Sequence, residues 1–231
     1  MKNISALTVV YNTKNLLQQA YESLRAAHPN MPLLIVDGSD RGSDCWAYAE
    51  SLRGGFTRVD HVGWNIGHGR GMDYGISRVE TQWLLIFDSD VVILESPLVQ
   101  MLAMTDKETY GVGWVYEVGR DGFDYGTPNR GHTEPIPYLH PYFMLLSTWQ
   151  YRRFAPFVHH GAPCYKAMVD IYDRGLSARV LKHFTGLTGH TSGEGINWVG
   201  KPSRYVRHDF GGTRSNNKRN GQDEIIGVWQ K

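Results

Sequence analysis

The chain has little cysteine, no long apolar run and almost no net charge. Its two cysteines, Cys45 and Cys164, build neither a disulfide framework nor a thiolate metal cluster. The longest apolar runs, at 83–87 and 91–94, fall far short of the ~20 residues of a membrane span. The opening Met1-Lys2-Asn3-Ile4 lacks the apolar stretch and cleavage site of a signal peptide, so a reducing, cytoplasmic setting is the expectation. Disorder is excluded, because 41% of the residues are hydrophobic and the formal charge is +1. That small charge conceals a division. Residues 201–231 carry seven Lys or Arg against three acids, whereas the first 200 carry 17 against 20. The excess is glycine, 26 of 231 residues, which implies many loops and close approaches.

The first 105 residues alternate strand and helix. Ser5 to Tyr11 reads as a buried strand, and Thr13 as the N-cap of a helix carrying Leu16, Leu17, Ala20, Tyr21 and Leu24 at helical spacing. Leu33 to Val36 is a second strand, ending in the turn cluster Asp37-Gly38-Ser39-Asp40. A helix follows from Asp44 to Leu52, then a strand from Thr57 to Val62. A glycine-rich stretch, 63–71, opens a third helix. Trp83 to Phe87 is a fourth buried strand, stopping at Asp88-Ser89-Asp90. Apolar strands without alternation, separated by helices, predict a parallel sheet covered on both faces, with ligands at the carboxyl ends of its strands. The polar clusters Tyr11-Asn12, 37–40, 65–70 and 88–90 fall on that rim.

After residue 105 the pattern loosens. Strands are predicted at Tyr110 to Val118 and Pro141 to Leu146, with a Gly-, Pro- and Asn-rich loop at 119–137 between them. A helix is predicted from Cys164 to Arg174, and short strands at Ala178 to Leu181 and Ser203 to Arg207. Without repeats or a linker, 1–231 reads as a single domain, its halves 1–105 and 106–231, ending in a basic segment suited to a lid. Aromatics gather at His140-Pro141-Tyr142-Phe143 and at Trp149, Tyr151 and Phe154, each offering apolar area and, for Tyr and Trp, a polar handle.

Asp88-Ser89-Asp90 carries the sharpest chemistry. Side chains two apart on an extended chain point the same way, so two carboxylates converge where a divalent cation takes oxygen ligands. A plain strand-end turn uses the same residue types. The order Thr8-Val9-Val10-Tyr11-Asn12, Leu34-Ile35-Val36-Asp37-Gly38-Ser39, Asn65-Ile66-Gly67 and Leu84-Leu85-Ile86-Phe87-Asp88-Ser89-Asp90 resembles a family 2-type glycosyltransferase with the GT-A fold, over about residues 4–95.

The resemblance implies a Rossmann-like α/β fold with a mostly parallel central sheet and an elaborated C-terminal half. It also implies a nucleoside-diphosphate sugar donor, UDP-linked by preference, with Mn²⁺ or Mg²⁺. Tyr11 and Asn12 would lie beside the base, and Asp37 would accept from its ring N–H. Asn65 and Gly67 would shape the nucleotide loop, and Arg70 would reach the sugar or phosphates. Asp88 would lie by the ribose and cation, and Asp90 would ligate the cation. A late histidine is a further ligand in such enzymes, and His208 and His190 are the two candidates. Arg214, six residues after His208, would reach the diphosphate. The Glu-Asp pair that supplies the base in inverting members is missing from 157–164, which leaves inversion or retention open and makes His160, with its neighbour His159, and Asp170 candidates for that role beside a residue the pattern does not identify. The aromatics of 140–143, with Trp149, Tyr151 and Phe154, are where the acceptor is expected, since aromatic faces suit sugar rings, and the acceptor stays open among saccharide, protein, lipid-linked and modified nucleic acid. A nucleotidyltransferase, or a relative that binds carbohydrate or nucleic acid without turnover, is the alternative.

Overall fold

Two apolar runs of the first half, Leu33–Asp37 and Trp83–Phe87, form strands that are buried from end to end. The structure, a computed structural model, describes residues 3–122, 133–158, 162–187 and 203–208. Four strands, β1 (Ile4–Val10), β2 (Leu33–Asp37), β3 (Thr57–His61) and β4 (Trp83–Phe87), alternate with helices α1 (Lys14–Ala27), α2 (Asp44–Ser51) and α3 (His68–Ile76). They pair parallel in the order β3-β2-β1-β4. Strand order reverses between β1 and β4, and a crevice opens at the carboxyl ends of strands at such a point.

The sheet continues through β7 (Pro135–Ser147), β6 (Gly111–Gly119) and β8 (Leu181–His183). β7 runs antiparallel to both β4 and β6, while β8 is parallel to β6. α4 (Leu98–Ala103), α5 (Thr148–Tyr151), α6 (Tyr165–Asp173) and α7 (Ser177–Val180) complete the helices. β5 (Val91–Ile93) and β9 (Val206–His208) form a separate antiparallel pair. One face of the main sheet packs Leu17, Leu24, Ile35, Leu85 and Phe143 together; the other packs Leu7, Leu34, Met72, Ile86 and Met168.

Two glycines decide how closely α3 approaches the sheet. A Cβ at Gly71 would lie 2.6 Å from Val9 Cγ1, and one at Gly75 would lie 2.4 Å from Leu7 Cδ1. Spaced four apart, they share one helix face. Their missing side chains bring the start of α3 to the rim where β1 and β4 end.

The structure departs from the sequence reading in three places, two of them in the second half. β7 begins at Pro135, well before Pro141, and two of its three prolines sit where the ladder tolerates them. Pro135 opens the strand, and Pro141 lies in an irregularity: Gly113 pairs with Met144 and Val115 with Leu139, so residues 140–143 oppose Trp114 alone. The segment 178–181, expected as strand, is mostly helix α7, with the strand starting at Leu181. Thr13 occupies the N-cap position of α1, but its hydroxyl is buried and makes no cap hydrogen bond.

Replacing Gly75 by alanine forces a methyl against fully buried Leu7. The expected cost is about 1–3 kcal/mol, as for other overpacked cores, and a urea unfolding midpoint reads it.

Candidate active site at the carboxyl end of the sheet

The turn after β4 is tied down on both sides. Asp88 N–H donates to Tyr142 O (2.9 Å), and Val91 N–H donates back to Asp88 O (3.1 Å). β5 then leads away and pairs with β9, with Val91 opposite His208. This pairing delivers the histidine from a distant part of the chain. α1 steadies the two-stranded unit, since Ser23 Oγ accepts from Ile93 N–H and Gln19 Oε1 accepts from Arg207. The His208 ring stacks on Tyr142 at 4.8 Å and 9°. The Tyr142 hydroxyl is anchored on Leu187 O at 2.6 Å.

Asp88, Asp90 and His208 converge. Each offers a ligand atom within 4.8 Å of the others. His208 Nε2 is 3.2 Å from Asp90 Oδ1 and 3.7 Å from Asp88 Oδ2. A third group completes the surroundings: His68, the first residue of α3, places Nε2 3.0 Å from Asp88 Oδ1. That contact has ion-pair distance without hydrogen-bond geometry, so Asp88 Oδ1 is buried with no hydrogen-bond partner. Burial opposes ionisation of Asp88, but His68, His208 and His140 outweigh it and hold the carboxyl well below its usual range. For His68, burial opposes the charged ring and Asp88 outweighs it, raising the pKa. Two carboxylates and an imidazole at this spacing form a donor set that fits a divalent cation with oxygen and nitrogen ligands.

The other expected residues lie along the same rim. Asn12, at the end of β1, has φ +51, the one positive φ outside glycine among the described residues. Its N–H donates to Ser39 Oγ, its Nδ2 donates to Asp40 Oδ2, and its Oδ1 accepts from Asp40 N–H. Asn12 thereby ties the loops after β1 and β2 together beside half-buried Tyr11. Asn65 Oδ1 accepts from Gly67 N–H, and Gly67 (φ +80) caps α3. Arg70 is exposed on the first turn of that helix. Asp37 is fully buried: its Oδ1 accepts from Ser39 N–H, and its Oδ2 lies 2.8 Å from His61 Nδ1. His61 reaches Glu50 Oε2 with its other nitrogen at 2.8 Å and stacks on Trp46 at 3.7 Å.

Asp170 is not part of this group. Its Oδ2 accepts from Ala155 N–H, and both its oxygens accept from Arg174, pinning α6 to the segment after α5. His160, His190 and Arg214 lie outside the described residues, as does the basic segment beyond 208. The acceptor aromatics separate. Ser147 pairs with Trp83, so α5 starts at the opposite rim, carrying Trp149 (75% exposed) and buried Tyr151. His140 and Tyr142 lie near His208 instead, with Trp114 stacked on Tyr116 at 4.5 Å alongside His140. His68, His61, Trp114 and Tyr116 escaped the sequence reading; the signal available for His68 was its place directly after Asn65-Ile66-Gly67.

The glycosyl transferase family 2 profile matches residues 5–170. The chain belongs to glycosyl transferase family 2. Among solved structures it is similar to the mannosyltransferase PcManGT from Pyrobaculum calidifontis in complex with GDP-Man and Mn²⁺ (TM-score 0.57, 13% identity), covering 80% of this chain and 55% of that one. It is also similar to S. aureus TarS 1-349 in complex with UDP-GlcNAc (0.54, 17%, covering 86% and 61%). A third is glucosyl-3-phosphoglycerate synthase from Mycobacterium tuberculosis (0.54, 15%, covering 79% and 70%). The chain thus spans little more than half the length of the first two. No curated protein matches it. The GT-A fold expected from the resemblance is the fold observed. No described helix is long and apolar enough to cross a membrane.

The Glu50 carboxyl is lowered to about 2, by hydrogen bonds first from Arg53 and then from His61. A depressed carboxyl contributes stability above its ordinary value of 4.5 that is lost as pH falls through about 2. Glu50→Gln is therefore expected to flatten the acid limb of stability in that window, measured by urea midpoints against pH.

Proposed function

We propose that this family 2 member is a metal-dependent glycosyltransferase, moving a sugar from a nucleoside-diphosphate sugar to an acceptor hydroxyl. The observation that carries this reading is the convergence of Asp88, Asp90 and His208 at the carboxyl end of β4, beside the point where strand order reverses. Asp90 and His208 would hold Mn²⁺ or Mg²⁺, with one oxygen of Asp88. A cation held there supplies positive charge to the diphosphate as it leaves.

The chain's own residues account for the rest of the reading. Tyr11 and Asn12 shape the base end of the rim, and the proposed base is uracil, whose ring N–H is a donor to a carboxylate such as Asp37. Each Asp37 oxygen already has one partner, and a carboxylate oxygen has a second lone pair to offer. Asn65 and Gly67 set the start of α3, which brings Arg70 to the phosphate or sugar. The segment beyond 208, with Arg214, is the proposed lid, and His190 is the alternative histidine. His160 is the favoured base for the acceptor hydroxyl over Asp170, whose oxygens are committed to Ala155 and Arg174. A cytoplasmic setting and a single domain over 1–231 belong to the same proposal.

Calorimetric titration is expected to show UDP binding that depends on Mn²⁺, with GDP weaker. Asp90→Ala and His208→Ala are expected to lower donor hydrolysis or transfer by about a hundredfold or more, the scale of losing electrostatic stabilisation of a leaving group. Unchanged rates in Asp90→Ala defeat the reading.

A further inference from the structure

The contact between His68 and Asp88 has no role in the reading above. His68 stands on α3, 20 residues before Asp88 in the chain, and its Nε2 lies 3.0 Å from Oδ1 of a carboxylate already burdened by burial. The other oxygen, Oδ2, faces His208 at 3.7 Å. The two oxygens of Asp88 are therefore divided, one toward α3 and one toward the group formed with Asp90 and His208. The placement of His68 is built into the fold. Gly67 starts α3 in a conformation open to glycine, with Asn65 holding its N–H. Gly71 and Gly75 let the helix lie against β1, the neighbour of β4.

We infer that His68 is a positioning residue for the metal centre: it holds Oδ1 of Asp88 and so keeps Oδ2 turned toward the cation. The inference rests on the cation reading of Asp88, Asp90 and His208. Carboxylate ligands are themselves held by outer groups, and losing such a group typically weakens metal affinity about 10–100-fold. A carboxylate released from His68 would be free to rotate, and the ordered arrangement of its oxygens would be lost.

The test reads bound metal rather than turnover. Mn²⁺ is titrated into the full chain with UDP present, and the free ion is followed by its EPR signal. His68→Ala is expected to weaken Mn²⁺ binding about tenfold or more. His68→Gln, whose amide nitrogen reaches as far as Nε2, is expected to recover most of the affinity. His68→Asn, one bond shorter, is expected to stay weak. The Gln and Asn variants are alike in polarity, so their contrast separates reach from a general effect on folding. Equal Mn²⁺ affinity in wild type and His68→Ala overturns the inference, as does equal weakening by Gln and Asn. Asp90→Ala is the separate arm. If it binds Mn²⁺ as tightly as wild type, the cation reading itself falls and the role of His68 with it. If Asp90→Ala loses the ion while His68→Ala keeps it, the inference about His68 alone falls.

Discussion

Two carboxylates held together at the end of a buried strand repel each other, and the surroundings of Asp88 and Asp90 answer that repulsion. Burial raises its cost, since a charge away from water interacts more strongly with its neighbours. Three histidines from three parts of the chain supply the counterweight: His68 from α3, His140 from β7 and His208 from β9. Each arrives by a different device. The glycines of α3 allow a close approach, the irregularity of β7 carries residues 140–143 opposite a single partner, and β5 recruits β9. The arrangement also leaves two carboxylates and an imidazole close enough to serve one cation as ligands.

The surroundings of Asp37 follow a similar logic with different parts. Asp37 is wholly buried, and its register partner on β3 is His61. The parallel pairing of β2 and β3 thus sets a carboxylate beside an imidazole. α2 adds Glu50 on the far nitrogen and Trp46 on the ring face. Asp37 is therefore held in place by its own surroundings.

Much of the first half was legible because its central strands are largely buried on both faces. Continuous apolar runs such as Leu33 to Val36 and Trp83 to Phe87, broken by turn residues, leave few other solutions. The second half was harder to read. Pro135, Pro137 and Pro141 argue against a strand, yet 13 residues there form the longest one, since the first proline opens it and the last stands in the irregularity. Likewise Trp149 and Tyr151 looked like neighbours of His140 and Tyr142. The direction of β7 sends them to the other end of the sheet.

Residue order alone determined the parallel half-sheet, its polar rim and the two carboxylates after β4, because period and turn chemistry are local properties. The tertiary structure decided which histidines meet those carboxylates. His208 reaches them through strand pairing across more than a hundred residues, and His68 through the missing side chains of Gly71 and Gly75. Pairing partners and interhelical distances are set by packing over the whole molecule. Gly71 and Gly75 lie in a window around His68, but the strand they pack against and the pairing partner of His208 lie outside any such window.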